Sequence, residues 1–281
     1  FKTLIAAGCF IFTDDGNDVD DDVVLTEVME AFAKAQGKEG CGIPRLMFHA
    51  QKRSLMCNGV MHEGATSVRL GLPGIPRESE DEAVERAIVF GLKYKTPVHI
   101  THLTTAGAVE IIRRGKAQYD AEGMDGWLTC DVTPHHLTFI DEDVERLGAL
   151  AKCNPPLREA SDRDALRAAL LDGTIDCIAT DHAPHTAAEK ALSMLDAPFG
   201  ITGLEVALSA SLNAVGGGKY EAERVLNALT LAPKRKLVGN LFASCLDEGS
   251  QADMAVYDPN EEWRVDPAHF AGKCKVSPYA G

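Results

Sequence analysis

Apolar residues along the chain fall into two kinds of run. Five runs are short and rich in β-forming side chains: Gly8–Thr13, Arg45–His49, Pro97–His102, Trp127–Val132 and Thr174–Thr180. Elsewhere the apolar positions recur at the spacing of one helix face. Leu25, Val28, Met29 and Phe32 keep that spacing, and Gly37 is placed to stop the helix. Ser79 with Glu82 makes a capping-box pattern ahead of Val84, Ala87, Ile88 and Gly91. Ile111 and Ile112 mark a third helix. Leu166, Ala169 and Leu170 mark a fourth that starts near Ser161, and Leu204, Ala207, Leu208, Ser211 and Leu212 a fifth.

Strands alternating with helices predict a parallel sheet joined by right-handed crossovers. A doubly wound open sheet and a (β/α)8 barrel both satisfy that order. No G-x-G-x-x-G follows any of the strands, so the dinucleotide-binding version lacks its signature. After Gly249 the pattern changes, and Ala252–Asp258 reads as an isolated strand of a small separate β element.

Composition narrows the function classes. The chain has 281 residues, 45% of them hydrophobic, enough for a large core in one big α/β domain or two smaller ones. A formal net charge of −14 argues against nucleic acid, which needs a basic face. No apolar stretch reaches the ~20 residues of a membrane span, and no signal peptide is expected. Eight scattered cysteines without a C-x-x-C pair suit a reduced, cytoplasmic compartment, with those in apolar runs, such as Cys9 and Cys177, read as small buried hydrophobes.

Four of the five strands end in a residue able to bind a metal: Asp14-Asp15 after the first, His49 on the second, His102 on the third and Asp181 after the fifth. In a barrel these ends share one mouth, where such folds carry their active sites. Taken singly, each has an ordinary reading. Asp14-Asp15 suits the turn at Gly16, and a lone His49 is more often a satisfied core histidine. Only one of Asp14 and Asp15 faces inward on a strand, and His99 and His102 should also face opposite ways, one a candidate ligand and the other packed under a helix. His135-His136 reads as structural, and His62 and His269 have no constellation around them. Asp181 differs, because burying an unpartnered carboxylate costs several kcal/mol and so predicts a metal or cation nearby. Such a carboxylate can take the proton of a water attacking a carbonyl. His182 should face away from Asp181, with His185 reaching back over the mouth.

The run Thr180-Asp181-His182-Ala183-Pro184-His185 resembles the last barrel strand of the cyclic amidohydrolases. Phe12-Thr13-Asp14-Asp15-Gly16, His99-Ile100-Thr101-His102, Val132-Thr133-Pro134-His135-His136-Leu137, Asn154-Pro155-Pro156-Leu157-Arg158 and Ala197-Pro198-Phe199-Gly200-Ile201 look like dihydroorotase, in that family's order. The resemblance implies a partial (β/α)8 barrel of the metal-dependent hydrolase kind over residues 1–240, with a remnant of a small β-sandwich domain in 241–281. It implies Asp15 bridging two zinc ions, with His49 and His102 completing the second site, and Asp181 as ligand and general base. Asn154, His185, Phe199 and Gly200 would hold the substrate ring. Zinc also suits mixed histidine and carboxylate ligands. The implied reaction is reversible hydrolysis of (S)-dihydroorotate to N-carbamoyl-L-aspartate in cytoplasmic pyrimidine biosynthesis. A homodimer or an association with aspartate transcarbamoylase is the partner expectation. The alternatives are a hydantoinase- or allantoinase-type cyclic amidohydrolase, or a non-catalytic dihydroorotase-like subunit supporting aspartate transcarbamoylase.

The sequence also departs from that pattern. It contains no His-x-His, the family's first metal motif, nor the substrate-binding arginine just beyond it, so an N-terminal part carrying three strands is expected to be missing. Ala50-Gln51 stands where the family has Cys-Glu, and Arg86-Ala87 where it has Arg-Asp; losing those carboxylates is expected to weaken orientation of the histidines. Lys234, Arg235 and Lys236 fit the family poorly.

Overall fold

All five β-forming runs become parallel strands, each trimmed to its apolar centre. They are β1 (Ile11–Thr13), β2 (Arg45–Phe48), β5 (Val98–Ile100), β6 (Leu128–Val132) and β7 (Cys177–Ile178). The computed structural model describes residues 2–14, 16–36, 44–238, 248–249, 252 and 254–281. Neighbours in the sheet are neighbours in this series, in the order β1-β2-β5-β6-β7. The order never reverses, as it does in a doubly wound sheet. The sheet is instead wound in one sense, as in part of a (β/α) barrel. Registers such as Phe12↔Leu46, Met47↔His99, His99↔Thr129 and Asp131↔Cys177 bring the strands' C-terminal ends to one rim. A two-residue parallel pair, β3 (Met61–His62) with β4 (Gly74–Ile75), is inserted between β2 and the next long helix.

The crossover helices are Asp22–Ala35, Glu78–Tyr94, Ala106–Ala121 and Ala160–Asp172. The first buries Leu25, Val28, Met29, Phe32 and Ala35, and starts where the Asp21 carboxylate accepts from the Val23 and Val24 N–H groups. It ends at Ala35; Gly37, its expected stop, lies outside the described residues. The third starts at Thr105, whose hydroxyl accepts from Ala108 N–H. The expected Ser79 cap is not used. The second helix begins two residues earlier than such a cap would set it, at Glu78 after Arg77, and the Ser79 hydroxyl donates back to Pro76 O. The fifth expected helix forms as a 3-10 turn, Leu204–Val206, followed by Ala207–Val215. A further helix, Lys219–Leu229, buries Val225 and Ala228 and packs Leu229 against the core. Arg224 fixes it by donating to Leu170 O and Ile175 O.

Outward strand residues Leu46, Phe48, Val98, Ile100, Leu128, Cys130 and Val132 form one apolar core with the helices. At ~1.5–3 kcal/mol per fully buried large side chain, this layer is the main force holding helices to sheet. The alternate residues face inward. Arg45, the lowest of them, donates to Val98 O, Trp127 O, Thr129 Oγ1 and Lys236 O, and burial pulls its pKa down to about 10.

Two expectations fail here. Ala252 and Met254–Asp258, expected in a strand, are irregular backbone. Among the described residues nothing pairs with them, and an unpaired extended segment is not a strand. Cys9, expected to be buried, is exposed, while Cys130, Cys153 and Cys177 are buried. The later part of this tail folds back on the barrel: Ser277 Oγ donates to Thr202 O, and the Tyr279 ring packs 4.8 Å from that of Phe139. No helix among the described residues is long and apolar enough to cross a membrane.

Candidate metal centre

β2 delivers His49 to the rim one residue past its end, and β5 delivers His102 two residues past its own. Nδ1 of His49 and Nε2 of His102 face each other at 2.9 Å, with the rings edge-on at 78°. The backbone N–H of His49 donates to Asp14 Oδ1 at 2.8 Å, tying the end of β1 to the same point. Nε2 of His49 lies 3.0 Å from Gln51 Oε1 and 3.1 Å from Asn154 Nδ2. With the proton on Nε2, that N–H is given to Gln51 Oε1 and the Nδ1 lone pair points at His102; Asn154 Nδ2, which can only donate, pairs with Nε2 in the other tautomer.

The parity rule placed His99 and His102 on opposite faces, with His99 under a helix. The structure overturns this. His99 points inward, its Nδ1 at 2.8 Å from Thr129 Oγ1 and its Nε2 at 2.8 Å from Asp131 Oδ2. β5 ends at Ile100, and His102 then adopts a left-handed backbone (φ +40°), which breaks the alternation. Its N–H donates to Asp131 Oδ1 at 2.7 Å, so one buried carboxylate anchors both histidines.

Asp181 is also left-handed, at φ +43°. Of the other non-glycine residues with positive φ, Cys57 and Lys95 cap helix ends and Asn58 follows in the same turn. His102 and Asp181 have no such local excuse, and strain of this kind, about 1–3 kcal/mol per residue, gathers at functional sites. The expected burial of Asp181 is not found: its side chain is 34% exposed, so its backbone rather than a desolvation cost marks it. Across the mouth, His135 Nε2 lies 3.9 Å from Asp181 Oδ2.

Several buried polar atoms here have no hydrogen-bond partner: Asp14 Oδ2, His102 Nδ1, both nitrogens of His135 and Asn154 Oδ1. Each such atom costs about 1–3 kcal/mol, so a cluster of them fits a site built for a ligand. Burial, with neighbouring His49, pushes His102 down to about 3; burial, with His102 adding, does the same to His135. Both rings are therefore neutral near pH 7, the form that binds metals. Burial raises the pKa of Asp14. A tetrahedral zinc with ~2.05 Å bonds to two nitrogens sets them ~3.3 Å apart, only a few tenths beyond the His49–His102 spacing. The donor set and the unbonded atoms both fit a divalent ion of the zinc type. His135, His136 and Cys153 also hold donor atoms within 4.8 Å of one another. His136 is already engaged there, by Thr133 Oγ1 at 2.8 Å and Pro155 O at 3.0 Å, and burial pushes the Cys153 thiol up to about 12.

The far wall of the mouth is a loop held by two buried lysines. Lys190 Nζ donates to Gly200 O, Pro198 O and Lys152 O, while Lys152 Nζ donates to Ala197 O and stands 4.6 Å over the Phe199 ring. Burial lowers Lys190 to about 8 and lowers Lys152 as well. His185 Nε2 meets Phe199 O at 2.9 Å, and His182 Nδ1 accepts from Gly203 and Leu204 N–H. Gly200 is required: at φ +143° a Cβ would lie 2.4 Å from Ala183 O. Behind the Asn154 loop, Arg158 is buried with Glu80 and donates to Thr104 Oγ1 and Ile75 O; its Nη1 lies 3.2 Å from Nδ1 of His62. His62, read as having no constellation, is thus part of a buried charged network.

The structure brings together His49 and His102, with Asn154 touching His49; His185, Phe199 and Gly200 meet one another in the loop that Lys152 and Lys190 hold. Asp181 meets the group through His135. Asp15 lies outside the described residues. Ala87 belongs to the apolar core, away from the mouth, whereas Gln51 supplies an acceptor to His49. Sequence reasoning read His135 as structural and missed Asp131, Lys152 and Lys190. Of these three only Asp131 carried a signal, as a charge at an inward position of an otherwise apolar strand.

A model of the amidohydrolase family matches residues 2–280. Dihydroorotase of Trichlorobacter lovleyi is 40% identical over 278 residues, covering 99% of this chain and 62% of that protein. Dihydroorotase of Anaeromyxobacter dehalogenans strain 2CP-1 is 43% identical over 283 residues, covering 100% and 62%. The chain thus spans 62% of the length of these curated relatives. Among solved structures, L-hydantoinase (dihydropyrimidinase) from Arthrobacter aurescens superposes with a TM-score of 0.83 at 23% identity, covering 100% of this chain and 62% of that one. D-hydantoinase from Thermus sp. gives 0.75 at 17%, covering 100% and 61%; at these identities the likeness speaks for the fold. With the single-sense parallel sheet and histidine-bearing strand ends described above, the match places the chain in the amidohydrolase family.

Proposed function

We propose that the protein to which this chain belongs is a dihydroorotase, reversibly hydrolysing the ring amide of (S)-dihydroorotate to N-carbamoyl-L-aspartate. The observation that carries this reading is the pairing of His49 with His102 at the rim, ringed by unbonded buried donor atoms, in a chain similar throughout to dihydroorotases. His49, His102 and Asp181, with Asp15, would hold the two zinc ions, which would polarise the ring carbonyl and lower the pKa of water.

The chain's own residues do the rest. Asp181 takes the proton of the attacking water and returns it to the ring nitrogen as the C–N bond breaks. Its partial exposure at the mouth suits a group that must meet substrate. Asn154 and His185 offer polar contacts from facing walls, and the loop of Phe199 and Gly200 supplies an apolar face for the ring. The setting that goes with this reading is pyrimidine biosynthesis in the cytoplasm, with a homodimer or an aspartate transcarbamoylase partner.

The test is an assay of the full-length, zinc-loaded protein on dihydroorotate and on hydantoin. Turnover of dihydroorotate, with hydantoin untouched and Asp181→Asn lowering kcat by about 10²-fold or more, is the expected result. Turnover of hydantoin alone would point to a hydantoinase-type enzyme. No turnover of either, with zinc bound, would point to a non-catalytic subunit.

A further inference from the structure

His135 is a buried imidazole that the proposed reaction leaves without a task. It sits on the five-residue helix Pro134–Thr138 directly after β6. Thr133 caps that helix, its hydroxyl accepting from His136 N–H at 3.1 Å. His136 turns to Thr133 and Pro155 O, and both of its nitrogens are used. His135, whose ring centroid lies 4.6 Å from that of His136, is 1% exposed and has no hydrogen-bond partner at either nitrogen. Among the described residues, Asp181 is the one carboxylate within 4.0 Å of it, at 3.9 Å from Nε2.

That gap is about 1 Å longer than a charge-assisted hydrogen bond. Asp181 is partly exposed, and a side-chain rotation closes it. A neutral imidazole has one N–H to give, and a carboxylate can only accept, so the pair is chemically matched. Ligating carboxylates need such outer partners to fix their orientation.

We propose that His135 is a positioning residue of the centre, donating Nε2–H to one oxygen of Asp181 and so directing the other oxygen at metal and substrate. This rests on the reading above only in taking Asp181 as a metal ligand.

The test uses the full-length protein and three variants. The amide nitrogen of His135→Gln falls where Nε2 was, that of His135→Asn where Nδ1 was, and His135→Phe keeps the ring alone. Zinc affinity is measured by competition with a chromogenic chelator, and folding by thermal midpoint. His135→Phe and His135→Asn are expected to weaken zinc binding by about 10–100-fold, with His135→Gln restoring it to within about threefold of the parent. In an Asp181→Ala background, which removes the acceptor, His135→Phe should add less than about threefold, because the two residues act through one contact. Should His135→Phe fail to fold, the Gln and Asn variants decide the matter, since they differ only in where the amide sits. Unchanged zinc affinity in His135→Asn, no rescue by Gln, or an undiminished Phe effect without Asp181 would each overturn the assignment. Zinc binding is read without substrate, so a protein inert towards dihydroorotate would sink the functional reading while leaving His135 to be judged on its own.

Discussion

Gln51 Oε1 stands 3.0 Å from Nε2 of His49, on the side of the ring opposite the Nδ1 that faces His102. The dihydroorotase pattern has a glutamate at this position, and the amide keeps its acceptor while giving up its charge. Gln51→Leu should therefore weaken zinc binding by about 10–100-fold, because His49 loses the acceptor that holds its Nε2–H. Gln51→Glu should tighten binding, since a carboxylate raises the basicity of the ligating nitrogen. Chelator competition measures both, and equal affinities across the three proteins would show that Gln51 does not orient the ring.

His62 gives the fold an acid-sensitive element. Unfolded, it takes up a proton as pH falls through about 6.5; folded, burial and then the charge of Arg158 delay this to about 4. Between these values the unfolded state holds the extra proton, so stability is full above about 6.5 and drains away as pH falls to about 4. His62→Asn keeps an acceptor for Arg158 but cannot titrate. Its thermal midpoint should fall less than the parent's between pH 7 and pH 4.5, and parallel losses in both proteins would contradict the assignment.

Lys190 is expected to hold the wall of the mouth through three carbonyl oxygens. Replacing it with Met removes hydrogen bonds from a charged donor, each worth about 1.5–3 kcal/mol. The Gly200 N–H, which donates to Lys152 O at 2.9 Å, should then exchange with solvent about 10-fold faster or more. Hydrogen exchange resolved at Gly200 checks this. KM should rise with it while zinc affinity stays unchanged.

Gly200→Ala tests the same wall from its backbone. A methyl group there meets Ala183 O at 2.4 Å and His185 Cδ2 at 3.0 Å, at a φ that L residues rarely adopt. The substitution should cost upwards of about 1 kcal/mol, seen as a lower thermal midpoint, and should displace His185. A stability equal to the parent's would mean that the loop can relax.

The strand and helix order was legible because burial leaves a period: Leu25, Val28, Met29 and Phe32 lie on one face, and each β-forming run became a parallel strand. The rim position of His49 and His102 followed from the same reasoning, since a residue at the end of a parallel strand shares its edge with the others. Where the chain leaves the regular element, parity ceased to guide. His102 and Asp181 both turn through left-handed backbone just beyond their strands, and no periodicity encodes that turn.

The sequence by itself therefore determined the class of fold and the rim at which His49 and His102 stand. Tertiary structure decided how they meet. Asp131 joins His99 to His102, His135 faces Asp181 across 46 residues of chain, and Lys152 and Lys190 converge on one loop. The reason is physical: local pattern reports which face of an element is buried, whereas the partner of a buried polar group is chosen by packing between distant segments, and only the folded chain brings those segments together.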